Sequence, residues 1–159
     1  MRLLRRKRDL PEPGTLGVER VLLASEGRPI SAPAVELAAR LAAPGGGRVH
    51  VFSVARVWGS GFGLPNPGLL PNKREWDVQR EIVGTAVEAL QRRGVEATGH
   101  VLATRKATKR IIGEAKRLEC GAIVMSADPP RNRLVADLMW SQEPYRVRRR
   151  AELPVYLTT

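Results

Sequence analysis

Residues 111–125 read Ile-Ile-Gly-Glu-Ala-Lys-Arg-Leu-Glu-Cys-Gly-Ala-Ile-Val-Met, and the change of rhythm inside this stretch decides the fold. The first half places Ile111, Ile112, Ala115 and Leu118 at helical spacing, with Thr108 upstream in position to cap the helix. The second half passes through Cys120 and Gly121 into Ala122–Met125, a short run with no polar break. Such a run suits a strand covered on both faces, as in parallel sheets flanked by helices. Helix followed at once by buried strand is half of a β-α-β unit, and the same alternation extends in both directions.

Upstream, Val18–Ser25 predicts a first strand through its core Val21-Leu22-Leu23-Ala24, broken by Glu26 and Gly27. Ser31 then caps and Pro33 opens a helix that runs to about Ala42 and is stopped by Gly45-Gly46-Gly47. Val49 to Val57 predicts a second strand, and a long Gly- and Pro-rich loop follows, from Trp58 and Phe62 to Asn72. A connection of that length suggests a lid or a partner surface. A helix resumes at Glu75 with Trp76, Val83, Ala86, Val87 and Leu90 on one side, ends at Gly94, and leads to a third strand, Val95–Ala103. Downstream of Met125 come an irregular stretch, Ser126–Asn132, and a helix from about Ser141 to Arg150 with Pro144 in its first turn. A last strand, Pro154–Leu157, closes the chain. Strands and helices alternating in this way predict an α/β fold with a parallel sheet and helices on both faces, because right-handed crossovers put them there.

The chain has 159 residues, the size of one domain. Its 43% hydrophobic residues exclude wholesale disorder, and no apolar run reaches the roughly 20 residues of a membrane helix. Residues 1–16 are set apart as a basic tail, with 17–159 as the folded domain. The tail's charges are followed by Asp9, Pro11, Glu12 and Pro13 rather than an apolar segment, so export is not expected. Cys120 is the single cysteine, which fits a reducing compartment, and a cytoplasmic location is expected. The formal charge is +11, of which the tail supplies +3 and the folded part +8. A small anionic ligand is therefore a possible partner.

From Val18 to Leu157 the order of elements and three local phrases resemble the universal stress protein family. Val-Leu-Leu-Ala-Ser-Glu-Gly at 21–27 is similar to its first strand, which ends in Asp-Gly-Ser. Residues 111–125 are similar to its third helix and fourth strand. Arg-Arg-Arg-Ala-Glu-Leu-Pro-Val-Tyr-Leu at 148–157 is similar to its last helix and fifth strand. The resemblance implies a three-layer, doubly wound, Rossmann-like fold with a five-stranded parallel sheet in the order 3-2-1-4-5. It also implies a ligand crevice where the order reverses, and a homodimer paired across the Pro154–Leu157 edge.

The family's ATP-binding members carry a glycine, two residues, a second glycine, nine residues, then Gly-Ser or Gly-Thr, so that backbone amides reach the phosphates. Here Met125 matches the residue before that motif, Ser126 stands for the first glycine and Pro129 for the second. Trp140 and Ser141, after a one-residue insertion, stand for the final pair. Two consecutive prolines remove amide donors from the loop. Glu26 replaces the family's aspartate and Arg28 its serine. The cofactor-binding candidates are thus Glu26, Met125, Ser126, Pro129, Arg131 and Ser141, with ATP or a related adenine nucleotide as the group in question. Arg131 and Arg133 either supply charged donors to phosphate or are solvated loop residues, and Glu26 is either a ligand contact or a turn residue.

His50 and His100, the only histidines, sit in apolar strands, which favours hydrogen-bonded structural roles over catalysis or metal binding. No hydrolase serine elbow or complete phosphate loop is present. The function expected is therefore a non-enzymatic, dimeric stress-response or regulatory protein with a modified nucleotide crevice. The alternatives are a switch that retains an adenine nucleotide, and a module binding anions or nucleic acid through Thr104–Arg110 and the tail. Nucleic acid is the least expected partner, because aromatic residues for base stacking make up only 4% of the chain.

Overall fold

A computed structural model describes residues 17–57, 70–128 and 142–159. The expected tail, the Gly- and Pro-rich loop with Trp58 and Phe62, and Pro129, Arg131, Arg133, Trp140 and Ser141 lie outside them. Five strands, β1 (Arg20–Ser25), β2 (Arg48–Arg56), β3 (Glu96–Thr104), β4 (Ala122–Ser126) and β5 (Val155–Thr158), form one sheet in the order β3-β2-β1-β4-β5. All four pairings are parallel. Four helices connect the strands: α1 (Ala32–Ala42), α2 (Lys73–Arg92), α3 (Ala107–Arg117) and α4 (Glu143–Arg150).

The central strands β1 and β4 are apolar from Val21 to Ala24 and from Ala122 to Met125 because both of their faces are covered. Val21, Leu23, Val49 and Val51 point into a core with α1 and α2, while Leu22, Ala24, Phe52 and Ile123 point into a second core with α3 and α4. This is the three-layer arrangement expected from the alternation of elements. At its centre Leu22 lies opposite Ile123 in a parallel β1–β4 pair. At the β3 edge, α2 approaches so closely that a Cβ on Gly99 would meet Val83 Cγ1 at 2.4 Å and the Val51 carbonyl oxygen at 3.0 Å.

Helix starts differ by small steps from the sequence expectation. Ser31 caps α1, accepting from the Ala34 amide, and Pro33 sits in the first turn, both as expected. α2 begins at Lys73, two residues before the expected Glu75. Asn72 accepts from the Glu75 amide and the Glu75 carboxylate accepts from the Asn72 amide, a reciprocal cap that makes Glu75 the third helical residue. Thr108 does not cap α3. It lies inside the helix and its hydroxyl donates to the Glu143 carboxylate on α4. α4 starts at Glu143, with Gln142 in the cap position and Pro144 in the first turn; the expected start at about Ser141 lies outside the described residues.

The two histidines form a chain of contacts between β2, β3 and α3. His50 Nδ1 lies 2.9 Å from the Thr98 hydroxyl, His50 Nε2 lies 2.7 Å from His100 Nδ1, and His100 Nε2 lies 3.2 Å from the Glu114 carboxylate. Arg117 holds Glu114 from the other side at 2.7 Å. Burial lowers both imidazole pKa values below 6.5, since it penalises the cation. The unfolded chain then binds protons more readily than the folded one as pH drops through 6.5, so the protein loses stability from there down through the depressed folded values. Urea midpoints should decrease from pH 7.5 to 5.5, and decrease less steeply in His100→Gln, whose amide does not titrate. Equal slopes for the two proteins would count against this account.

Candidate functional site

The crevice lies where the chain leaves β1 in one direction and β4 in the other. Its first wall is the turn after β1. Gly27 adopts φ +124°, a conformation that side chains disfavour. The turn is closed by the Ser25 hydroxyl, which accepts from the Gly27 amide at 3.1 Å and donates to the Arg28 carbonyl. Folded in this way, the turn brings the Arg28 guanidinium back onto the Glu26 carboxylate.

Glu26 is 0% exposed. Burial pushes its carboxyl above the ordinary range, against the pull of the Arg28 and Arg56 guanidiniums. Arg28 donates to Oε1, whereas Oε2 has no hydrogen-bond partner among the described residues. The guanidinium of Arg28 also reaches Asp128, at 3.4 Å, beyond the end of β4. One cation therefore spans the mouth of the crevice, from the turn after β1 to the turn after β4. It is largely withdrawn from solvent, with 11% of its side chain exposed.

Two further groups seal the same turn. Arg56, at the end of β2, donates from Nε to the Glu26 carbonyl at 3.2 Å. Gln79, on the buried face of α2, donates to the Gly27 carbonyl at 2.9 Å and accepts from the Ser53 hydroxyl. A cavity of about 330 Å³ remains beside them, lined by Gly27, Arg56, Asn72, Glu75 and Gln79. Across the crevice, Ser126 ends β4. Its hydroxyl accepts from the Ser31 amide and donates to the Ser31 hydroxyl, both at 3.0 Å, tying β4 to the start of α1.

Of the six residues singled out from the sequence, the structure places Glu26 at the crevice and Ser126 beside it. Met125 is wholly buried in the core shared with α3 and α4. Pro129, Arg131 and Ser141 lie outside the described residues. Arg28, Arg56, Gln79 and Asp128 complete the site and are not among those six. Gln79 carried a readable signal: it is the polar member of the stripe Trp76, Gln79, Val83, Ala86 and Leu90. Arg28 carried another, a cation two residues beyond an acid with glycine between them.

Other clusters offer less. Among the described residues no group of three or more His, Cys, Asp or Glu could hold a metal ion, and no helix is long and apolar enough to cross a membrane. Cys120 is pushed up to about 11, chiefly by burial, so it remains a thiol near neutrality. A cavity of about 430 Å³ at the opposite end of the strands is lined by Arg20, Arg48 and His50, but Arg20 is paired with Glu119 and Arg48 with Glu96.

A doubly wound parallel sheet with a polar crevice at the reversal of strand order defines the class of domains that bind ligands at that point. The sequence model of the universal stress protein family matches residues 17–158, and the chain belongs to that family. Solved structures agree in fold. A universal stress protein family member from Burkholderia pseudomallei superposes with a TM-score of 0.63 at 19% identity, over 88% of this chain and 95% of that one. A universal stress protein from Archaeoglobus fulgidus in complex with dAMP gives 0.64 at 20% identity, over 88% and 97%. A universal stress protein in complex with cAMP gives 0.61 at 13% identity, over 90% and 98%. No curated protein matches the chain.

The Glu26–Arg28 pair should behave as a buried ion pair, for which losing one partner is far worse than losing both. Arg28→Ala should lower stability by about 3 kcal/mol at pH 7 in urea titrations. Adding Glu26→Gln should recover most of that loss. The cost of Arg28→Ala should also shrink at acid pH, where Glu26 takes up a proton and no charge is left buried. A double variant as unstable as Arg28→Ala would contradict this.

Proposed function

We propose that the chain is a non-enzymatic regulatory protein of the universal stress family whose crevice is closed by its own side chains and does not depend on a bound nucleotide. The observation that carries this reading is the Arg28 guanidinium held between Glu26 and Asp128 across the mouth. A triphosphate entering there would have to break a buried ion pair and leave Glu26 facing phosphate. The loop that should cradle phosphate offers Pro129 and Pro130 where backbone donors are needed.

The rival reading, an adenine-nucleotide switch, draws support from relatives solved with dAMP and with cAMP, and from the cations Arg28 and Arg56 at the crevice. Purified protein, denatured and extracted, should release no stoichiometric nucleotide, and calorimetric titration with ATP, dAMP and cAMP should show no saturable heat. Saturable binding by the native chain that disappears in Glu26→Ala would establish the rival instead.

We also propose a homodimer formed through β5. The order of strands leaves β5 on an edge of the sheet. The Ile123 amide bonds to the Pro154 carbonyl and the Ala127 amide to the Thr158 carbonyl. Residues 154, 156 and 158 therefore turn their main-chain groups toward β4, while those of Val155 and Leu157 face outward. An apolar edge with outward-facing donors and acceptors is a template for a second strand. Leu157→Pro removes one outward N–H without touching the β4 ladder. It should convert a dimer to a monomer in analytical ultracentrifugation with the circular dichroism spectrum retained. An unchanged dimer would place the interface elsewhere.

A further inference from the structure

The two helical layers differ sharply in charge. With their flanking turns, α1 and α2 (residues 31–47 and 70–94) carry six Lys and Arg against five acids, whereas α3 and α4 (residues 105–119 and 142–152) carry ten against four. All ten cations of the second layer are exposed. The two helices pack side by side on the same core, and the Thr108–Glu143 contact brings their N-terminal ends together. Their charges thus form one continuous face.

Fold stability accounts for only part of this charge. Arg148, Arg149 and Arg150 lie in the last turn of α4, and Lys116 and Arg117 in the last turn of α3, where cations offset the helix dipole. Lys109 and Arg110 are different. They sit near the beginning of α3, whose first turn contains no acid, so the dipole disfavours them. Arg117 is paired with Glu114 and Arg146 with Glu143. Lys106, Lys109, Arg110, Lys116, Arg148 and Arg149 have no ion-pair partner among the described residues.

We propose that the exposed face of α3 and α4 binds the phosphate backbone of duplex nucleic acid without reading its sequence. From Lys106 to Arg117 the cations of α3 extend over about 16 Å at 1.5 Å per residue, close to five steps of a duplex. Seven of the ten are arginines, whose guanidinium forks match phosphate oxygens. The scarcity of aromatic residues argues against a single-strand binder that stacks bases. It does not argue against backbone contacts to a duplex, which need only positive charge. An acidic membrane fits less well: the exposed large apolar residues among those described are Leu70 and Val78, both outside this layer, so nothing here would insert into lipid.

The test is fluorescence anisotropy of a 20-base-pair duplex with the full chain between 50 and 200 mM salt. Native protein should bind with log K falling steeply against log salt. Lys109→Ala/Arg110→Ala/Arg148→Ala/Arg149→Ala should reduce the magnitude of that slope by about 3.6, at roughly 0.9 for each of four lost phosphate contacts, and weaken binding at least tenfold at 50 mM salt. Lys73→Ala/Arg74→Ala/Arg92→Ala/Arg93→Ala, which removes equal charge from the other layer, should stay within twofold of native. If the first set destabilises the fold by circular dichroism, its two halves are tested separately. The proposal is overturned if both sets weaken binding alike, if neither does, or if the native chain binds phosphatidylserine vesicles but no duplex.

Discussion

Everything at the functional end of this molecule depends on the parallel pairing of β1 with β4. Three crossover connections, through α1, α2 and α3, separate them in the chain, so their register is fixed by burial on both faces rather than by any turn. Leu22 opposite Ile123 and Leu23 opposite Val124 leave no polar position that would tolerate a slip. Because both strands run the same way, the turns that follow them emerge side by side. The crevice is a consequence of that pairing and would exist whatever residues occupied it.

What the crevice can do is decided by a few side chains within it. A buried carboxylate normally needs compensation, and here a neighbouring arginine supplies it within the same turn. Once placed there, the same arginine reaches the opposite turn and joins the two walls. Gln79 and Arg56 then satisfy the main-chain carbonyls of Gly27 and Glu26. Polar groups in this pocket largely answer one another, as buried polar groups must.

The fold was legible because its cause is repeated along the chain: buried strands without polar breaks, alternating with amphipathic helices. Element boundaries were less legible. The reciprocal Asn72–Glu75 cap sets the start of α2 two residues before the expected Glu75, and Thr108 reads as a cap in sequence because its partner, Glu143, is distant along the chain. Half of the candidate site was hidden for a similar reason. Glu26 follows a strand and draws attention by position, but Arg56 and Asp128 acquire meaning only once three strand ends are brought together. Of the basic face, the part at Thr104–Arg110 is legible in the sequence, but its continuation onto α4 is not, since β4 separates the two helices in the chain.

Gly99 has an influence well beyond its own strand. With no side chain there, β3 lets the valines of α2 settle directly onto the sheet. Gln79 lies one turn before Val83 on the same helix, so the depth at which α2 rests also determines whether its amide can span from Ser53 to Gly27. A single missing carbon at the rim of the sheet thereby sets the height of the roof over a pocket two strands away.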